Sequence, residues 1–320
     1  MNEKKEFIES TILIQSLIRR YEIQKKYKFT SLPEESMVSY QAFLLGNDPL
    51  VNVPDRYVPN QGGVALVAVS GFRALQLACK LGEKDKSTMP RVFIVDISKQ
   101  VHVVWKMLKE CADKSTTATA FLANLDHFLK DAAGQYRNIQ QYACTCTDCE
   151  PKPNPDPLVF FGELITMYGY DYVSEIITHT VLIKNSFADR ETFKKIKEHI
   201  SNLGISNTFV YSSNVLTDIY WIGIKNRPLV NIILENIQFL DPNISIHTNL
   251  CRKHWEPKNV YLMENQSPEL VRSILKINPQ KNVLMTPDSG AQVRVGTQFS
   301  TPQSMESKKE GQEINSEFSP

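Results

Sequence analysis

A glycine and a carboxylate pose the first chemical question. Gly71 stands in Ser70-Gly71-Phe72, directly after the apolar run Val64–Val69. Asp96 lies at the end of a second apolar run, Arg91–Ile97. Both runs are short and rich in β-branched residues, as strands buried on two faces of a parallel sheet are. In such sheets ligands bind outside the carboxyl ends of the strands, so Gly71 and Asp96 fall on one rim. A carboxylate there can accept two hydrogen bonds from a vicinal diol, and a glycine lets backbone approach a ligand's chain. Ser70 could bond the same moiety, and Gln100, one turn into the next helix, could touch a base or a ribose. The plain alternatives are a helix-capping Asp96, a turn glycine and a solvated Gln100. A second group follows the run Thr208–Ser212. Ser213 and Asn214 form a turn at its end, and Asp218 follows one helical turn on. An amide can orient a nucleophile without itself being protonated, and Asp218 is a candidate base. Both could equally be helix caps.

A rival centre lies in the cysteines. Cys144, Cys146 and Cys149 stand within six residues, and Cys251 and His254 form a C-x-x-H pair. These are the donor types of tetrahedral zinc. The C-x-C-x-x-C spacing is irregular, however, and free thiols in a loop are the competing reading. Six cysteines in 320 residues do not make a disulfide framework, which suits a reducing, cytoplasmic setting. Cys79 and Cys111 lie on apolar helix faces and read as core.

The elements that must position these groups alternate. The helical spacing of Phe72, Leu75, Ala78 and Cys79 predicts a helix after the first strand. Helices follow over Lys99–Lys114, Phe121–Lys130, Leu158–Tyr168, Tyr170–Ile177, Glu191–Leu203, Pro228–Leu240 and Pro268–Leu275. Strands are expected at Thr180–Lys184, Ile244–His247 and Asn259–Met263. This pattern predicts an α/β fold, a doubly wound and mostly parallel Rossmann-like sheet. An N-terminal helical extension (1–60) precedes it, with one amphipathic helix from Lys5 to Tyr27 and a short one around Glu34–Leu45. The α/β domain spans 61–285. The polar tail, 286–320, is expected to be disordered. A net charge of +1 makes nucleic acid an unfavoured partner, and no run of about 18 apolar residues predicts a membrane span.

The turn at Gly71 has neither G-x-G-x-x-G nor a P-loop; what it permits is a cofactor without phosphates. S-adenosylmethionine fits. VALVAVSGFRAL, VFIVDISKQVHVVWKML and FVYSSNVLTDIYW together resemble the class I S-adenosylmethionine-dependent transferases. They come nearest the branch of the aminocarboxypropyltransferases of betaine-lipid synthesis. The likeness covers about Val64–Lys109 and Asn207–Trp221. It implies a methyltransferase-like fold that binds S-adenosylmethionine through Ser70, Gly71, Asp96, Gln100 and Ser213. Asn214 and Asp218 would serve transfer of a methyl or 3-amino-3-carboxypropyl group. The acceptor is an unknown small molecule, lipid or protein. Departures are the single glycine in the first turn, Phe72 and Arg73 where small or acidic groups are usual, and no proline after Asp96. The alternative is a catalytically degenerate α/β interaction module, with zinc as an optional staple. The tail resembles C-terminal secretion signals of bacterial effectors, so export into a host cell is a further expectation.

Overall fold

The computed structural model describes residues 29–39, 42–45, 48, 51–69, 71–85, 87–131, 136–137, 156–222, 226–251, 256–264 and 267–277. They all fall in one compact unit that ends at Thr286. The predicted helix over Lys5–Tyr27, Ser70, the 144–149 cysteines, His254 and the tail lie outside the described residues.

Six strands form one sheet. They are β1 (Val64–Ala68), β2 (Arg91–Asp96), β3 (Val181–Lys184), β4 (Asn207–Ser213), β5 (Ile244–Cys251) and β6 (Glu256–Met263). Their spatial order is β3-β2-β1-β4-β5-β6. Every pairing is parallel except the last, in which β6 returns antiparallel on β5. The chain moves outward from β1 to β3, then crosses back to β4 on the other side of β1. The topological switch point therefore lies between β1 and β4.

Alternation along the strands divides the core in two. Val64, Leu66, Ala68, Val92, Ile94, Phe209 and Tyr211 face one layer. That layer holds α1 (Arg73–Leu81), α2 (Lys99–Asp113), α3 (Ala118–Asp131), α4 (Pro157–Tyr168) and α5 (Tyr170–His179). Ala65, Val67, Phe93, Val95 and Val210 face the other, built from α6 (Arg190–Asn202), α7 (Val215–Ile222), α8 (Arg227–Leu240) and α9 (Pro268–Ile274). All five residues of β1 are buried, so its valine-rich run is a strand covered on both faces, as expected. Local chemistry sets several helix starts. Ser98, Asp189 and Ser267 accept from the amides of Val101, Thr192 and Leu270, and Pro228 sits in the first turn of α8.

The expected helix around Glu34–Leu45 does not form. Among its described residues only Glu34–Ser36 is helical, as a single 3-10 turn. Ala42–Phe43 is extended, paired in parallel with Tyr136–Arg137. Met37, Val38, Leu44 and Leu45 are buried. Their spacing suits a helix, but the Val38 and Leu44 carbonyls, which a helix would use internally, accept instead from the Lys99 and Phe72 amides beyond the ends of β2 and β1.

Candidate functional site

The described residues between 37 and 48 lie along the carboxyl rim of the sheet as a strap. At the end of β2, Val38 donates its N–H to the Ile97 carbonyl (3.0 Å), and its carbonyl accepts from the first amide of α2, Lys99 (3.0 Å). At the end of β1, the Leu44 carbonyl accepts from the Phe72 amide (2.6 Å) at the start of α1. At the ends of β4 and β5, Asp48 is buried. Its carboxyl accepts from the Tyr211 hydroxyl and from Thr248 Oγ1 (2.7 Å), and is also bonded by the Ser213 side chain. The strap thus touches β2, β1, β4 and β5 in spatial order, spanning the switch point.

Asp48 and Arg73 are the charged groups of this cluster. Arg73, on the first turn of α1, is 2% exposed; it donates to Gln76 Oε1 (2.7 Å) and reaches the Asp48 carbonyl oxygen (3.5 Å). Burial pushes the Asp48 carboxyl up from its ordinary range, while the hydrogen bonds and the nearby guanidinium pull it down; burial wins. Burial and the Asp48 charge likewise hold the Tyr211 phenol well above its usual value. Neither Asp48 nor Arg73 emerges as a site residue from the sequence. Asn47-Asp48-Pro49 reads as ordinary turn chemistry, and its Tyr211 partner lies 163 positions away.

The sequence-predicted residues divide around this strap. Gly71 is on the rim, but its open side faces the chain itself. A Cβ there would meet the Leu44 carbonyl oxygen at 2.1 Å and that of Phe43 at 2.4 Å. The close approach that demands glycine is therefore made by the strap. Asp96 ends β2 as expected; its Oδ1 accepts from the Ser98 amide (2.8 Å), and its carbonyl is met by His102 Nε2 (2.8 Å). Gln100 donates to Ser39 Oγ (3.0 Å), and its Oε1 is buried without a partner among the described residues. Ser213 ends β4 in a left-handed conformation (φ 52°), at the point where the β4–β5 register shifts. Such backbone, uncommon for a residue with a Cβ, turns the chain out of the sheet. Asn214 follows, its Oδ1 accepting from Ser213 Oγ (3.3 Å), and its backbone carbonyl starts α7 by accepting from the Asp218 amide (2.8 Å).

Asp218 is a carboxylate altered by its surroundings without compensation. Burial alone pushes it up to about 6. On β4 and β5, Ser212, His247 and Ser245 form a fully buried chain: Ser212 Oγ to His247 Nδ1 at 2.6 Å, and His247 Nε2 to Ser245 Oγ at 2.7 Å. Burial drives the imidazole down to about 3. A neutral, doubly bonded histidine with no exposed edge is a structural pin between two strands. Tyr211 and Tyr220 are buried in the packing of opposite faces of the sheet.

Among the described residues no group of three or more His, Cys, Asp or Glu is placed to hold a metal ion. Of the sequence-predicted zinc donors, only the backbone of Cys251, at the end of β5, is described. Among the same residues no helix is long and apolar enough to cross a membrane. No family model matches the chain, and no curated protein matches it.

Proposed function

We propose that the chain is an S-adenosylmethionine-dependent transferase of a methyl or 3-amino-3-carboxypropyl group. What supports this reading is the placement of Asp96, Ser213, Asn214 and Asp218 at or just past the carboxyl ends of β2 and β4, on either side of β1 at the switch point of a doubly wound sheet, with burial raising the Asp218 carboxyl to about 6. A carboxylate of that basicity is ionised at neutral pH yet takes a proton far more readily than an exposed one. Bound S-adenosylmethionine would supply the electrophilic carbon of its sulfonium, leaving the sulfur as a neutral thioether once the acceptor displaces it. Asp218 would take the proton the acceptor gives up, Asn214 would orient the acceptor, and Asp96, whose Oδ1 also accepts from the Ser98 amide, would hold the ribose hydroxyls. Nothing in this scheme calls for phosphate recognition, in keeping with a first turn that has a single glycine. The acceptor, whether small molecule, lipid or protein, would approach from the β4 side of the rim.

Calorimetric titration with S-adenosylmethionine and S-adenosylhomocysteine tests this directly. Asp96→Ala is expected to weaken both by about tenfold or more, the scale of charge-assisted hydrogen bonds. Asp218→Asn should leave binding intact. Absence of heat at millimolar ligand with folded protein would overturn the reading.

One observation favours a second reading, a non-catalytic α/β interaction module: the Leu44 and Phe43 carbonyls fill the space over Gly71. A stable partner captured equally by the wild-type chain and by Asp96→Ala/Asn214→Ala would support it.

A further inference from the structure

Ser213 is a strained residue gripped from outside its own segment. It carries a Cβ in the left-handed region (φ 52°), where glycine alone sits without cost, and it is buried. Such residues persist where the surrounding structure fixes them, and they gather at functional sites. The surrounding group here is Asp48. Its buried carboxyl accepts from Tyr211, two residues earlier on β4, and from Thr248 Oγ1 on β5 (2.7 Å), and it bonds the Ser213 side chain. These three residues flank the point where the β4–β5 register shifts. A bulge interrupts the ladder between two strands, and one carboxyl spans this interruption. From there the ties run into the proposed acceptor side. Ser213 Oγ also meets Asn214 Oδ1 (3.3 Å). The Asn214 carbonyl accepts from the Asp218 amide (2.8 Å) and from Thr217 Oγ1 (3.0 Å), and Thr217 Oγ1 lies 3.4 Å from the Thr248 carbonyl. A carboxyl is an expensive way to fill buried space. What it supplies, and an apolar side chain does not, is several directed bonds meeting at one point.

We propose that Asp48 is a positioning residue: by keeping Ser213 in its left-handed conformation it sets Asn214 and Asp218 in place beyond the end of β4. Asp48 touches no reacting group in this scheme and acts only through the turn. What Asn214 and Asp218 do once placed rests on the transferase reading above; the hold on Ser213 does not.

The test reads Asp218 in the full-length chain, by hydrogen exchange of its amide and by carbon-13 NMR titration of its carboxyl. Burial alone raises that carboxyl, so removing the Asp48 charge does not by itself move it. Ser213→Ala and Ser213→Gly both delete the hydroxyl, but only glycine adopts the turn without being held. Asp48→Asn and Ser213→Ala are expected to speed exchange of the Asp218 amide about tenfold relative to that of Val210 in β4. Both should also bring the carboxyl midpoint down from about 6 towards the ordinary 3.8. Ser213→Gly and the double variant Asp48→Asn/Ser213→Gly should keep both readings at their wild-type values. Should Asp48→Asn leave the buried Arg73 uncompensated and fail to fold, Thr248→Val takes its place in both comparisons, since it removes one bond and keeps the charge. A lower urea midpoint with Asp218 unmoved in Asp48→Asn and Ser213→Ala would make Asp48 a packing staple and overturn the proposal. A double variant no better than Asp48→Asn alone would overturn it too. If Asp218 responds as expected and S-adenosylmethionine gives no heat with the wild-type chain, the positioning stands and the transferase reading falls. If S-adenosylmethionine binds and Asp218 stays unmoved, the reverse holds.

Discussion

Asp218 is an acid whose charged form is penalised by burial, with its folded value raised to about 6 against an ordinary 3.8. Its sign follows from linkage. Below pH 3.8 both states hold the proton and nothing is lost. Between 3.8 and 6 the unfolded chain releases it first, and above 6 the native state bears the full cost. That cost is up to about 3 kcal/mol, at about 1.4 kcal/mol for each pH unit between the two values. Asp218→Asn should therefore stabilise the protein at about pH 7.5 by about 1–3 kcal/mol, read from urea unfolding, and the gain should vanish near about pH 4. A cost of that size suits the proton-accepting role proposed for Asp218. A variant no more stable than wild type under the same neutral conditions would place Asp218 among ordinary solvated carboxylates. The place of this residue one turn past a strand end is legible in the sequence, because it is a local fact. Asp48 is not, because what singles it out is three partners supplied by strands from the far half of the chain.

At the scale of elements, the decisive contact is between the strap and the β1–α1 turn. Gly71 has no positive φ, so its need for glycine is steric alone. The neighbour is backbone, which cannot swing aside as a side chain can. Gly71→Ala should cost about 2 kcal/mol or more, as overpacking does, with faster exchange at the Phe72 amide. Gly162 is the internal contrast. It lies within α4 with nothing near its would-be Cβ, so Gly162→Ala should stabilise by about 0.5–1 kcal/mol. Equal effects in urea unfolding would mean the strap yields at no cost. The helices and strands themselves are readable because their apolar periods are carried within each segment. The strap reads as a helix in sequence because Met37, Val38, Leu44 and Leu45 satisfy a helical period. The carbonyl acceptors that α1 and α2 need are a tertiary demand that no local pattern records.

At the scale of the whole molecule, sheet order and two-sided burial put the candidate site at the β1–β4 switch point. They also shut several histidines into the core. His247 is lowered to about 3 between its two serines, and His199, buried with its ring edge-on to Phe93 (centroids 5.3 Å apart), to about 4. For a base with a depressed folded value the stability is complete above the unfolded value of 6.5. It is lost as pH falls, because the unfolded chain takes up protons that the native state refuses. Each of the two withdraws up to about 1.4 kcal/mol per pH unit below about 6.5. Over the same range Asp218 takes up a proton in the native state and offsets one of the two. The urea midpoint should therefore fall between about pH 6.5 and 4 with the slope of about one proton instead of two. Asp218→Asn, which removes the offset, should make the limb below about pH 6 about twice as steep. His247→Asn should make the whole acid limb shallower by about one proton's worth of slope. Parallel acid limbs for wild type and both variants would show that neither group titrates with folding.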